Sequence, residues 1–215
     1  MRTMLFLLAF AAACHAAPAD TAPSSATHPP IGDSSFFNKL SAAAIALTHQ
    51  TVSYDPTYYV IAYPNGDIPA GKGVCSDVVI RAYRKLGIDL QKSVHEDMLQ
   101  HFRDYPKHWG LAAPDKNIDH RRVPNLMTFF ERKNSSLKLS LASADYQPGD
   151  IVCWQLPGNL THIGLITTEL SVDLKTHLVV HNIGGGQVME DCLFRYKIIG
   201  HYRYNPAADT TVRGQ

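Results

Sequence analysis

The hydrophobic pattern of this chain changes period near residue 136, and that change restricts the fold more than any other feature. Ahead of it the apolar residues recur at helical spacing. Phe36, Phe37, Leu40, Ala44 and Leu47 form one stripe, with Ser34 or Ser35 placed to cap it. Cys75, Val78, Val79, Ala82, Tyr83 and Leu86 form a second stripe, which Gly87 is placed to terminate. Residues 91–133 read as mostly helical and polar, with a modest apolar face of Val94, Met98, Leu99 and Phe102 and breaks at Pro106, Gly110, Pro114 and Pro124. A short strand is predicted at Tyr58-Tyr59-Val60-Ile61. Beyond 136, Leu137, Leu139 and Leu141 alternate with polar neighbours. Apolar runs at 150–155, 161–168, 177–182 and 197–204 follow, separated by Gly, Pro and Asn turns. Helices first and a meander of strands second predict an α+β fold, helices packed on an antiparallel sheet of short strands.

The first residues fall outside this pattern. Met1 to Ala19 carries Arg2, an apolar run from Leu5 to Ala13, and small residues at Cys14-His15-Ala16 or Ala17-Pro18-Ala19, the arrangement of an export signal. The run is too short to span a bilayer. Cleavage ahead of Cys14 would give a lipoprotein, but Ala11, Ala12 and Ala13 lack the larger aliphatic residue such signals carry, so a lipid anchor is not expected. Residues 20–33, with Pro23, Pro29 and Pro30 among Ala, Ser and Thr, read as a linker. The folded domain is expected over 34–204 and a tail over 205–215. These features place the protein in the periplasm or cell envelope, with no membrane span.

Composition narrows the partners. The chain has 215 residues and is 45% hydrophobic, enough for one domain with a single core. Lys plus Arg number 20 against 19 for Asp plus Glu, so no field exists to gather nucleic acid. The 4 cysteines, Cys14, Cys75, Cys153 and Cys192, show neither a CxxC pair nor zinc-finger spacing, and no metal or organic cofactor is implied. Loss of Cys14 with the export signal leaves an odd count, which points to a free thiol. Cys153 and Cys192 read either as buried thiols or as a disulfide pair. No feature fixes the oligomeric state.

A thiol becomes nucleophilic when its thiolate is stabilised by a helix N-terminus or a neighbouring imidazole. Cys75 opens its helix, and Gly71 and Gly73 leave the approach to the free N–H groups there open to a substrate carbonyl. A small core residue is the competing reading. Among 11 histidines, His162 opens the apolar strand Thr161 to Ile166 with Gly164 beside it, and His181 ends the strand Leu178 to Val180. Each taken alone reads first as a hydrogen-bonded structural histidine, and only the combination points to chemistry. Asp77 and Arg81, at i and i+4, read as an ion pair, with recognition of a substrate amine as the other role for Asp77. His95-Glu96 lacks a second histidine because Leu99 stands in its place, so the zinc-protease motif fails. Glu190-Asp191 reads as a solvated loop.

Taken in order, Cys75-Ser76 opening a helix, Pro148-Gly149-Asp150-Ile151-Val152, His162-Ile163-Gly164 and a strand ending in His181 resemble the NlpC-type cell-wall peptidases of the papain-like superfamily. More closely, Cys75 to Tyr83 and His181-Asn182-Ile183-Gly184 resemble the bacterial envelope family catalogued as domain of unknown function 1287, over about residues 40 to 204. The resemblance implies a papain-like fold with Cys75 as nucleophile, His162 as general base and His181 as the group orienting it. Because side chains alternate along a strand, His181 and Asn182 cannot both face His162, and Asn182 is the alternative third residue. The resemblance further implies Tyr59 or Tyr63 along the substrate cleft, with Ser76 and Asp77 at its floor. It departs from the NlpC pattern where Val74 precedes Cys75 and Asp77 replaces a glycine, so substrate specificity is not carried across. The implied activity is cleavage of an amide bond in peptidoglycan stem peptides. A non-catalytic envelope module holding a peptide in the same groove, and a transferase or deacylase using the same residues, are the alternatives.

Overall fold

The computed structural model describes residues 31–209, so the export signal, most of the linker and the end of the tail lie outside the described residues. Helix α1 (Ile31–Leu47) starts within the segment expected as linker. Two short parallel strands, β1 (Ser53–Tyr54) and β2 (Lys72–Gly73), flank a long loop and lead into α2 (Cys75–Lys85). Helix α2 ends as its sequence predicts. Gly87 takes a left-handed φ of 78°, and the Ile88 N–H reaches back to Tyr83 O at 3.1 Å, closing the last turn. Helices α3 (Leu90–His101) and α4 (Val123–Arg132) follow, separated by irregular chain.

The second half forms one five-stranded sheet from β3 (Ile151–Gln155), β4 (Thr161–Leu170), β5 (His177–His181), β6 (Val188–Glu190) and β7 (Lys197–Tyr202). The strand order is β6-β5-β4-β3-β7, and every neighbouring pair is antiparallel. A short helix, α5 (Pro206–Asp209), closes the described chain.

Strand alternation divides the apolar residues between two cores. Cys153 stands opposite Ile163 and Leu165 opposite Val180, and with Ile151 they pack against the buried stripes of α1, α2 and α4. Trp154, Val152, Ile166 and Val179 point to the other face, where Tyr146, Cys192 and Leu193 cover them. Trp154 carries a polar edge into this second core and satisfies it by donating to Leu193 O at 2.8 Å. Cys153 and Cys192 therefore lie on opposite sides of the sheet as free, buried thiols, which removes the disulfide reading.

Two predicted strands are absent. Tyr58 to Ile61 is irregular because side chains, not a neighbouring strand, satisfy it: Asn117 accepts the Ile61 N–H at 3.1 Å, and Asp115 accepts the Tyr58 hydroxyl at 3.1 Å. Leu137, Leu139 and Leu141 alternate but remain exposed, and the segment meets β7 in an isolated bridge, Ser136 to Tyr202, with the Leu137 N–H donating to His201 O at 2.8 Å. Asp150, after the Pro148-Gly149 turn, is fully buried and accepts from Gln147 N–H, His201 Nε2 and Arg203, which pins the start of β3. Among the described residues no helix is long and apolar enough to cross a membrane.

Candidate active site

The N-terminus of α2 lies against the start of β4. Val74, at the N-cap of α2, has no side-chain acceptor to offer the first turn. Asp77 instead accepts the Val74 N–H at 2.7 Å, and Ser76 donates to Arg121 O at 2.7 Å. Asp77 is in turn gripped by the Arg121 guanidinium, at 3.0 and 3.1 Å, inside the protein. The expected Asp77–Arg81 pair does not form. Arg81 bonds Asp67 at 3.0 and 3.2 Å, because the loop before α2 brings that carboxylate alongside the helix. Ser76 and Asp77 are thus buried supports of the Cys75 turn and are not presented to a ligand.

The backbone amides of Ile163 in β4, Ser76 and Cys75 itself act on the Cys75 sulfur and pull its pKa down. These three donors favour a thiolate. Burial and the nearby Asp77 charge outweigh them, and the thiol is pushed up to about 12. His162 is the residue before Ile163 and is 3% exposed. Burial, with His181 beside it, lowers its pKa to about 3. Both groups are therefore neutral at rest, and strand alternation sets the His162 ring beside Trp154, on the face of the sheet away from the core that holds Cys75.

His162 Nε2 lies 2.9 Å from His181 Nδ1, with the rings edge to face. Their meeting depends on Gly164, where a Cβ would fall 2.8 Å from Val179 Cγ1 and 3.2 Å from His181 Cβ. His181 Nε2 in turn faces Glu190 Oε2 at 3.5 Å, and Arg195 holds that carboxylate at 2.8 Å. Burial lowers the His181 pKa while Glu190 opposes the shift. The row Glu190, His181, His162 runs along one face of β6, β5 and β4. A carboxylate at its end favours the proton on His181 Nε2, hence His162 donating through Nε2 and keeping a lone pair on Nδ1. Asn182 turns the other way and donates to Gly73 O at 3.2 Å, tying β5 to the chain just before Cys75.

Cys75 opens into a cleft of about 420 Å³ lined also by Tyr54, Tyr58, Trp109, Arg121, Arg122 and Thr161 among others. Tyr59 and Tyr63 do not line it. Tyr59 donates to Asp55 at 2.9 Å, and Tyr63 stands edge-on to His95, 5.2 Å between ring centroids. The cleft tyrosines are Tyr54 and Tyr58, and the Tyr54 pKa is raised by burial and then by Cys75 and Asp77. Trp109 carries the Arg122 guanidinium 4.1 Å above its ring. No local pattern marks Tyr54, Trp109 or Arg122, because the cleft joins β1 to two distant points of the irregular chain between α3 and α4. Glu190, expected in a solvated loop, instead ends the edge strand β6 on the same face as Val188. His181, Glu190 and Cys192 offer ligand atoms within 4.8 Å of one another.

Two solved structures resemble the chain. NlpC1 from Trichomonas vaginalis matches at 16% identity and a TM-score of 0.41, over 78% of this chain and 44% of that one, so the chain spans less than half of that structure's length. An N-acetylmuramoyl-L-alanine amidase from Bacteroides uniformis ATCC 8492 matches at 12% identity and a TM-score of 0.44, over 79% of this chain and 99% of that one. In sequence, the Uncharacterized protein YijF of Escherichia coli (strain K12) is 53% identical over 154 residues, 72% of this chain and 75% of that protein. Residues 41–204 match the family described as Domain of unknown function (DUF1287), and the chain belongs to that family.

Proposed function

We propose that this protein is an exported cysteine hydrolase that cleaves an amide bond in peptidoglycan stem peptides. The observation that carries the reading is Cys75 at the N-terminus of α2, open to a cleft and packed against β4, the strand whose His162 meets His181 at 2.9 Å. This reading requires the His162 ring to turn toward Cys75, where Nδ1 takes the thiol proton as sulfur attacks the substrate carbonyl, so no preformed thiolate is needed. The oxyanion is met by N–H groups of the first α2 turn, with the Tyr54 hydroxyl at the cleft wall. Collapse expels the amine, which takes the proton from His162 and leaves a thioester on Cys75. Water then attacks the thioester, gives its proton to His162 and restores the thiol. The aromatic walls Tyr54, Tyr58 and Trp109, with the Arg122 guanidinium between them, suit a peptide bearing a carboxylate.

The test is incubation with purified muropeptides and mass spectrometry of the products, with Cys75→Ala as control. Cleavage by the wild type and none by the variant is expected. No cleavage of any stem peptide, under reducing conditions and across pH, overturns the proposal. One observation favours a second reading: a thiol held at about 12 by burial is also what a non-catalytic peptide-binding module would tolerate. In that case Cys75→Ala binds muropeptides as the wild type does and neither cleaves them.

A further inference from the structure

We propose that His181, Glu190 and Cys192 form a site for a divalent transition metal, best matched to Zn²⁺, whose occupation switches off the Cys75–His162 pair. The ligand atoms of the three residues already lie within 4.8 Å of one another, close to the spacing a tetrahedral ion requires. His181 is 1% exposed, and its Nε2 is a buried nitrogen with no hydrogen-bond partner among the described residues, turned toward the Glu190 carboxylate at 3.5 Å. A polar atom buried in this state asks for a ligand. Strands β5 and β6 set His181 and Glu190 on one face, and the chain after β6 brings the free thiol of Cys192 back to it. Imidazole, carboxylate and thiolate together select a borderline ion over Mg²⁺ or Ca²⁺. The carboxylate and the thiolate balance the charge of the ion. Arg195 would give up its bond to Glu190 at little cost, since its side chain is 48% exposed.

The inhibitory part of the inference rests on the catalytic reading above; metal binding itself does not. With no metal, the Nε2 proton of His181 faces Glu190, Nδ1 accepts from His162 Nε2, and His162 Nδ1 is free to take the Cys75 proton. A metal on His181 Nε2 requires that lone pair, so the neutral ring must carry its proton on Nδ1. His181 then donates to His162 Nε2, the His162 proton moves to Nδ1, and the base is lost. Each imidazole keeps one proton. Cys192 releases one to solvent as its sulfur binds the ion, so one proton leaves per metal bound.

The test uses the purified chain stripped with a chelator and titrated with Co²⁺, followed by its thiolate-to-cobalt charge-transfer absorption and then displaced with Zn²⁺. One metal per chain and one proton released are expected. The band should vanish in Cys192→Ser and Cys192→Ala, weaken about tenfold or more in affinity in Glu190→Gln, and persist in Cys75→Ala. Absence of the band in the wild type overturns the site, as does a band lost in Cys75→Ala but kept in Cys192→Ser, which would put the ion on the catalytic thiol. For inhibition, Zn²⁺ should stop muropeptide cleavage by the wild type reversibly, while Cys192→Ser cleaves without metal and resists Zn²⁺. Zn²⁺ that displaces cobalt without slowing cleavage overturns the switch. A metal-free wild type that cleaves nothing overturns the catalytic reading and leaves the metal site to the cobalt titration.

Discussion

Cys75 and Asp77 share the first turn of α2 and work against each other. Asp77 closes that turn through the Val74 N–H and holds Arg121, yet its charge helps keep the thiol protonated. Asp77→Asn should therefore separate the two effects. Leaving Arg121 buried without its carboxylate should cost about 3–5 kcal/mol in urea denaturation, while the pH profile of Cys75 alkylation by iodoacetamide moves to lower pH. An unmoved profile would show that the Asp77 charge does not reach the sulfur. In the wild type, alkylation of Cys75 should still be rising at about pH 9, because the thiolate forms late. A plateau near neutrality would mean that a thiolate–imidazolium pair exists at rest and that the neutral pair described above is wrong. The place of Cys75 at the start of α2 was legible because its signal is local: one cysteine opening one helix stripe after two glycines. Asp77's partner was not, since Arg121 comes from a distant turn and competes with an equally plausible i, i+4 arginine.

At the level of elements, the site is a property of how β5 lies on β4. Gly164 is the position that lets Val179 and His181 come close, and a methyl group there has nowhere to go. Gly164→Ala should destabilise the protein by about 1–3 kcal/mol and lower kcat with little change in KM, because His181 is pushed off His162 while the cleft stays intact. Wild-type melting temperature and kcat in this variant would remove His181 from its orienting role. The alternation of β4 and β5 made it readable in advance that only one of His181 and Asn182 could face His162. The helices α1 and α2 and the strands β3, β4, β5 and β7 were likewise written in periodicity and turns. Strand β6 was not: it is three residues long, and with Gly184 to Gly186 before it a loop was the natural reading. The cleft tyrosine was misplaced for a related reason. The stretch 53–73 holds several tyrosines and little periodicity, and Asp115 and Asn117, far along the chain, decide which of them turn outward.

Across the whole molecule, the sheet separates a large helical core from a smaller one, and each holds a histidine that burial keeps neutral. His120, beneath the helices, is lowered to about 3 by burial and by Arg121 and Arg84; His162, on the other face, is lowered to about 3 as well. Both would take a proton at an ordinary 6.5 once unfolded. Folded pKa values below unfolded ones mean that the unfolded chain binds more protons between those limits. The stability tied to these histidines is then fully present above pH 6.5 and is lost as pH falls toward about 3. Each contributes up to about 1.4 kcal/mol per pH unit over that window. Urea denaturation at stepped pH should show this fall, and His120→Gln should flatten it by one proton's worth while leaving muropeptide cleavage at neutral pH in place. His162→Gln should flatten it equally and abolish cleavage. If both variants keep the wild-type slope, the histidines are protonated inside the fold, and the proposed transfer of the Cys75 proton cannot begin from a neutral imidazole.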